Sequence, residues 1–175
     1  MRFGWAKASI LIGVLALAAC NRQAAVDPVD AETAKASAEF LVRNGKAPGV
    51  VTLPSGLQYK VVASGPAGGV SPDRNDLVRV DYEGALIDGT VFDSSFAKGQ
   101  PYVTTPEEVV PGWTEALQKM KVGDEWMLYV PPELGYGERG GGEIPPNSTL
   151  VFRVKLLDVA PIPGGSAPGV GSANG

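Results

Sequence analysis

The chain contains no histidine, and a single cysteine, Cys20, among its 175 residues. Without histidine there is no imidazole to act as a base near neutral pH or to hold a metal ion. With one cysteine, neither an intramolecular disulfide nor a cysteine-rich zinc site can form. The same two shortages exclude a Ser-His-Asp or Cys-His nucleophilic centre. Basic residues are also few, 15 against 19 acids for a net charge of −4. Removal of residues 1–19 would take away Arg2 and Lys7 and no acid, leaving 13 bases against 19 acids, or −6. An acidic domain of this kind is a poor partner for nucleic acid. Nor does the apolar run at residues 8–17 reach the length of a comfortable transmembrane helix.

What is present begins with a leader. A basic start (Arg2, Lys7), the short apolar run and the small residues Ala18-Ala19 before Cys20 describe an export signal. Leu17-Ala18-Ala19-Cys20 resembles the lipobox of bacterial lipoproteins, in which the cysteine becomes the lipidated first residue. The other reading is a plain secretory signal followed by chance by cysteine. Several acyl chains at ~0.8 kcal/mol per buried methylene would make a stable anchor. Asn21 follows the cysteine where Asp would favour the inner membrane, so the expected address is the periplasmic face of the outer membrane.

An apolar fraction of 44% supports one packed domain with tails. Four segments are expected: 1–19 as lipoprotein signal peptide, 20–53 as lipidated tether with a short helix, 54–160 as the folded domain, and 161–175 as a disordered Pro/Gly/Ser-rich tail. The helix is expected over residues 30–44, capped by Asp30 and closed by Arg43 and Gly45, as a spacer or a segment docked on the domain. From Gly56 the period becomes two. Leu57, Tyr59 and Val61 alternate with Gln58 and Lys60. Val78, Val80 and Tyr82 do the same, as do Trp126, Leu128 and Val130, and then Leu150, Phe152, Val154 and Leu156. Asp88-Gly89 marks a tight turn. One stretch has helical spacing instead, with Trp113, Ala116, Leu117 and Met120 on one face. The expected fold is α+β, a curved antiparallel sheet of about five strands wrapped around one short amphipathic helix.

Two candidate sites compete. Gly135-Tyr-Gly137-Glu-Arg-Gly140 has dinucleotide-like spacing, but no helix opens after it and no Lys-Ser/Thr follows. The aromatics Tyr82, Phe92, Tyr102, Trp113, Tyr136 and Phe152 suit an ordinary core, except that Tyr136 sits in a Gly/Pro loop and Asp93 follows Phe92. The chain further contains Val80-Asp-Tyr-Glu-Gly84, Asp88-Gly-Thr-Val-Phe-Asp-Ser-Ser95, Val109-Val-Pro-Gly-Trp113, Glu133-Leu-Gly-Tyr-Gly137 and Ile144-Pro-Pro-Asn-Ser-Thr-Leu-Val-Phe152. In order and spacing these pieces resemble FKBP-type peptidyl-prolyl cis-trans isomerases, particularly periplasmic and macrophage-infectivity-potentiator-like members.

The resemblance implies an enzyme that rotates X–Pro bonds without cofactor or metal, its substrates being proline-containing polypeptides and its cleft accepting macrolides such as rapamycin. It implies Trp113 as the floor under the proline ring, with Tyr82, Phe92, Tyr102, Val109, Val110, Ile144 and Phe152 as walls. Val110 N–H and the Tyr136 hydroxyl would hold carbonyls, and Asp93 would be the polar rim group. A chaperone or peptide-binding module with little turnover is the alternative. Thr104 stands where relatives often carry Phe, and residues 138–143 form a short loop. No long helical dimerisation arm precedes the domain, so a monomer is expected.

Overall fold

A computed structural model describes residues 27–163. The proposed signal peptide, Cys20 and the tail from residue 164 lie outside the described residues.

Helix α1 spans Pro28–Asn44. Its cap is Asp27 rather than Asp30, because Pro28 opens the first turn and the Asp27 carboxylate accepts the Val29 N–H at 2.9 Å. Asp30 lies inside that turn, where an acid complements the helix dipole. Seven antiparallel strands follow: β1 (Val50–Thr52), β2 (Gln58–Ala63), β3 (Leu77–Leu86), β4 (Val91–Ser94), β5 (Tyr102–Thr104), β6 (Glu125–Val130) and β7 (Leu150–Ala160). Two further helices interrupt them, α2 (Ser95–Lys98) and α3 (Pro111–Leu117). Five strands of four to eleven residues carry the sheet, and three-residue β1 and β5 extend it. The sheet thus starts at Val50, four residues ahead of the expected domain boundary.

The order is β1-β2-β6-β7-β3-β4, with β5 also on β3. The far edge of β3 is therefore shared. Its first half takes β5 (Val78↔Thr104 to Val80↔Tyr102) and its second half β4 (Glu83↔Ser94 to Ala85↔Val91). The register shifts by one residue opposite Arg79/Val80, where β7 carries the extra residue, and opposite Gly84/Ala85, where β4 does, and it is the bulged strand that bends at such a step.

The alternating residues of β3, β6 and β7 form the core as expected. Val78, Val80, Leu128, Val130, Leu150, Val154 and Leu156 are buried against Ala116, Leu117 and Met120 from the α3 segment. Each fully buried Val, Leu or Met among them contributes about 1.5–3 kcal/mol. Strand β2 departs from its expected alternation. Leu57 is buried, but Val61 is exposed and Gln58 is buried. The cause is α1, which docks on that end of the sheet rather than standing off as a spacer. Gln58 Nε2 donates to Leu41 O at 2.9 Å, Asn44 Nδ2 donates to Gln58 Oε1 at 2.8 Å, and Phe40 packs on Tyr129 at 5.9 Å between ring centroids.

Candidate active site

The change of partner along β3 creates the site. Between β4 and β5 the chain leaves the edge of β3 as α2, and Ser95 fills the gap. The Tyr82 N–H, without a strand partner there, donates to the buried Ser95 Oγ at 2.9 Å. Ser94 caps α2 by accepting from Ala97 N–H at 3.3 Å, and Gly99 ends it with φ of 69°. A cleft of about 410 Å³ opens beside this crossing. It is lined by Tyr82, Phe92, Asp93, Lys98, Tyr102, Glu108, Val109, Val110, Trp113, Tyr136 and Phe152.

Nine of the ten residues expected at a pocket converge here from β3, β4, β5, β7, α3 and two loops. Trp113 is buried, with Tyr82 and Phe152 both edge-on to it at 5.3 Å, at 86° and 82°. Phe92 stands edge-on to Phe152 at 5.6 Å, and Tyr102 to Tyr82 at 5.8 Å. This herringbone suits the ring quadrupoles and fixes each face relative to the next. Gly84 makes it possible, since a Cβ there would sit 2.7 Å from Phe152 and 2.8 Å from Phe92. Tyr136 stands at the rim, 44% exposed.

Ile144 is the exception. It is not among the lining residues but buried in the core, where it exchanges both backbone hydrogen bonds with Gly141 at 2.9 Å. The clasp turns the 138–143 loop back on itself and draws Ile144 inward. Thr104 also lies off the cleft, buried opposite Val78.

Lys98 and Glu108 line the cleft without having been expected there. Lys98 Nζ lies 2.6 Å from Asp93 Oδ1 and donates to Tyr82 Oη at 3.4 Å, while Tyr82 Oη donates to Asp93 Oδ2 at 2.5 Å. Burial first, and the bond to the Asp93 carboxylate second, push the Tyr82 hydroxyl up to about 12. Burial opposes ionisation of Asp93, but the hydrogen bonds from Lys98 and Tyr82 outweigh it and hold the carboxyl below its usual range. The bond to Asp93 raises Lys98 in turn. Tyr82 therefore stays neutral while Asp93 and Lys98 offset one another. The arrangement offers an apolar bowl with the Lys98–Asp93 ion pair and the Glu108 carboxylate at its edge.

An antiparallel α+β domain with an aromatic bowl between its helix and its sheet is a binding fold for a compact apolar group. The family model for FKBP-type peptidyl-prolyl cis-trans isomerases matches residues 68–157, and the model for the domain amino-terminal to such isomerases matches residues 14–61. The peptidyl-prolyl cis-trans isomerase Mip of Coxiella burnetii is 53% identical over 127 residues, 72% of this chain and 54% of that protein. The FKBP-type 22 kDa isomerase of Escherichia coli is 53% identical over 122 residues, 69% of this chain and 58% of that one. Among solved structures, FkpA from Escherichia coli has a TM-score of 0.73 at 45% identity, covering 77% of this chain and 62% of FkpA. An isomerase from Pseudomonas syringae has a TM-score of 0.70 at 37% identity, covering 77% and 98%. The chain belongs to the FKBP-type peptidyl-prolyl cis-trans isomerase family. It spans a little over half the length of the curated relatives it matches.

Proposed function

We propose that this chain catalyses cis–trans rotation of X–Pro bonds in exported polypeptides. The observation that carries the reading is the bowl itself: the buried indole of Trp113, flanked edge-on by Tyr82 and Phe152, closed by Phe92 and Tyr102 and open at Tyr136.

An X–Pro amide turns slowly because its C–N bond has partial double-bond character, with a barrier of ~18–20 kcal/mol. The planar amide is the more dipolar form, so an apolar bowl that excludes water favours the twisted one. The proline ring rests on Trp113 while the preceding carbonyl turns, which supplies orientation. The Val110 N–H and the Tyr136 hydroxyl hold carbonyls on either side. Asp93 accepts from Tyr82 and stays charged, with Lys98 beside it, so the wall keeps its shape as the bond rotates. No proton moves and no covalent bond forms. Turnover of an Ala-Leu-Pro-Phe-type peptide tests this. A folded protein that binds the peptide without accelerating its exchange is a peptide-binding module instead.

Three subsidiary proposals complete the reading. Cys20 carries a lipid that holds the domain in the cell envelope, on the periplasmic face of the outer membrane. The relative from Legionella longbeachae bears the name outer membrane protein MIP, and no described helix is long and apolar enough to cross a membrane. Mass spectrometry of the mature protein should find acyl chains on Cys20, absent from Cys20→Ser; an unmodified N-terminus elsewhere refutes the anchor. The bowl takes macrolides such as rapamycin, tested by titration calorimetry. The chain acts as a monomer, because α1 already contacts its own sheet through Phe40, Leu41 and Asn44; light scattering tests that.

A further inference from the structure

The loop that carries Tyr136 is clasped by its own backbone. Gly141 and Ile144 exchange hydrogen bonds at 2.9 Å, and Asn147 N–H donates to Gly137 O at 2.9 Å, directly beside Tyr136. The Tyr136 ring lies against Gly141, where a Cβ would come within 3.0 Å of it. The base of this loop is tied to α1 by one side chain. Ser37 is 2% exposed, and its hydroxyl donates to Asn147 O at 2.8 Å while accepting from Thr149 N–H at 2.8 Å. Asn147 has φ of 58°, the one non-glycine in the left-handed region among the described residues. A non-glycine residue keeps that conformation when its surroundings hold it there.

Ser37 is packed, and hollows open on either side of it. Cavities of about 300 Å³ and 140 Å³ flank α1, and both are lined by Ser37. The hydroxyl does not bond back into its own helix, as mid-helix serines often do. Its two bonds go to the loop, more than a hundred residues along the chain. We infer that Ser37 is a positioning residue for the cleft, holding Tyr136 in place through Asn147 and Gly137, so that docked α1 sets the geometry of the carbonyl-binding edge. The inference rests on the isomerase reading of the cleft for its effect on rate, but not for its effect on the loop.

The test uses the full chain with Ser37→Ala, Ser37→Thr, Tyr136→Phe and the Ser37→Ala/Tyr136→Phe double variant. Amide exchange across residues 137–149 should quicken about 5-fold or more in Ser37→Ala while the β3–β7 ladder stays as protected as before. The value of kcat/KM for a prolyl peptide should fall about 2- to 13-fold, the range of one net hydrogen bond. In the Tyr136→Phe background the same change should cost little. Ser37→Thr should restore both readings, because it keeps the hydroxyl that bonds Asn147 and Thr149. If Ser37→Ala does not fold, Ser37→Cys in reducing buffer, of similar volume but a weak donor, should give an intermediate loosening of the loop. Unchanged loop exchange, or an equal rate loss with and without the Tyr136 hydroxyl, overturns the proposal. A wild-type chain with no isomerase activity sinks the reading of the cleft, and the exchange comparison then decides the role of Ser37 alone.

Discussion

Lys98→Met removes one charge from the cleft wall and leaves the Tyr82–Asp93 hydrogen bond in place. The ion pair it breaks is short, 2.6 Å, but the two side chains are 56% and 37% exposed. Solvent screens such a pair and the long lysine loses freedom by making it, so the effect on stability is small. A drop in Tm of no more than about 2–4 °C is expected for a domain of this size. The larger effect is on pH dependence. Asp93 has a lowered folded pKa, so its contribution to stability is present above the ordinary carboxylate range and disappears as pH falls through the lowered value. Lys98 supplies the foremost of the causes that lower it, and its removal should move that acid limb to higher pH. At the alkaline end Lys98 and Tyr82 are both raised. Their contributions are complete below their ordinary values and vanish as pH rises through the folded ones, about 12 for Tyr82. Between these limits Asp93, Lys98 and Tyr82 keep their charge states, so kcat/KM for a non-ionising peptide should be level from about pH 5.5 to 8.5 in both proteins. Peptide turnover and thermal unfolding at each pH measure this. Coincident acid limbs would refute the role given to Lys98. A wild-type inflection near pH 6–7 would show an ionising group that a chain without histidine should not have.

Tyr136→Phe should lower kcat/KM about 2- to 13-fold without introducing pH dependence, since it removes a carbonyl contact and no proton carrier; a new inflection in its pH profile would contradict that. Gly84→Ala places a methyl group 2.7–2.8 Å from Phe152 and Phe92, and urea unfolding should show a loss of ~1–3 kcal/mol together with weaker peptide binding. In Trp126→Phe, which keeps a ring stacked on Tyr59, the remaining emission from the described tryptophan, Trp113, should respond to a prolyl peptide. An unresponsive signal would remove Trp113 from the floor.

The strands legible in the sequence were those with one buried face. Val78-Val80-Tyr82 and Trp126-Leu128-Val130 alternate cleanly because the sheet meets α3 on one side. Gln58 defied the alternation because a helix ending fourteen residues earlier covers it, a contact that no local period reports. The helix cap was misplaced by three residues because Asp27 and Asp30 both suit a helix start, and Pro28 decides between them. The aromatic bowl was legible through resemblance, since nothing in the spacing of Tyr82, Trp113 and Phe152 says that their rings meet. Lys98 and Ser95 were missed because their roles depend on α2 crossing the edge of β3. In the Asp93-Ser94-Ser95 sequence the second serine reads as an ordinary turn residue until Tyr82 N–H is seen to need an acceptor. Ile144 went astray because a two-residue clasp with Gly141 redirects it into the core.

NMR exchange on an Ala-Leu-Pro-Phe-type peptide with substoichiometric protein separates turnover from binding. Uncatalysed, the two isomers interconvert over tens to hundreds of seconds. The wild-type chain should bring their exchange into the range that broadens or cross-relaxes the peptide signals. A folded Trp113→Leu variant should lose most of that effect. Peptide signals that shift on binding while exchange stays at the uncatalysed rate would contradict turnover.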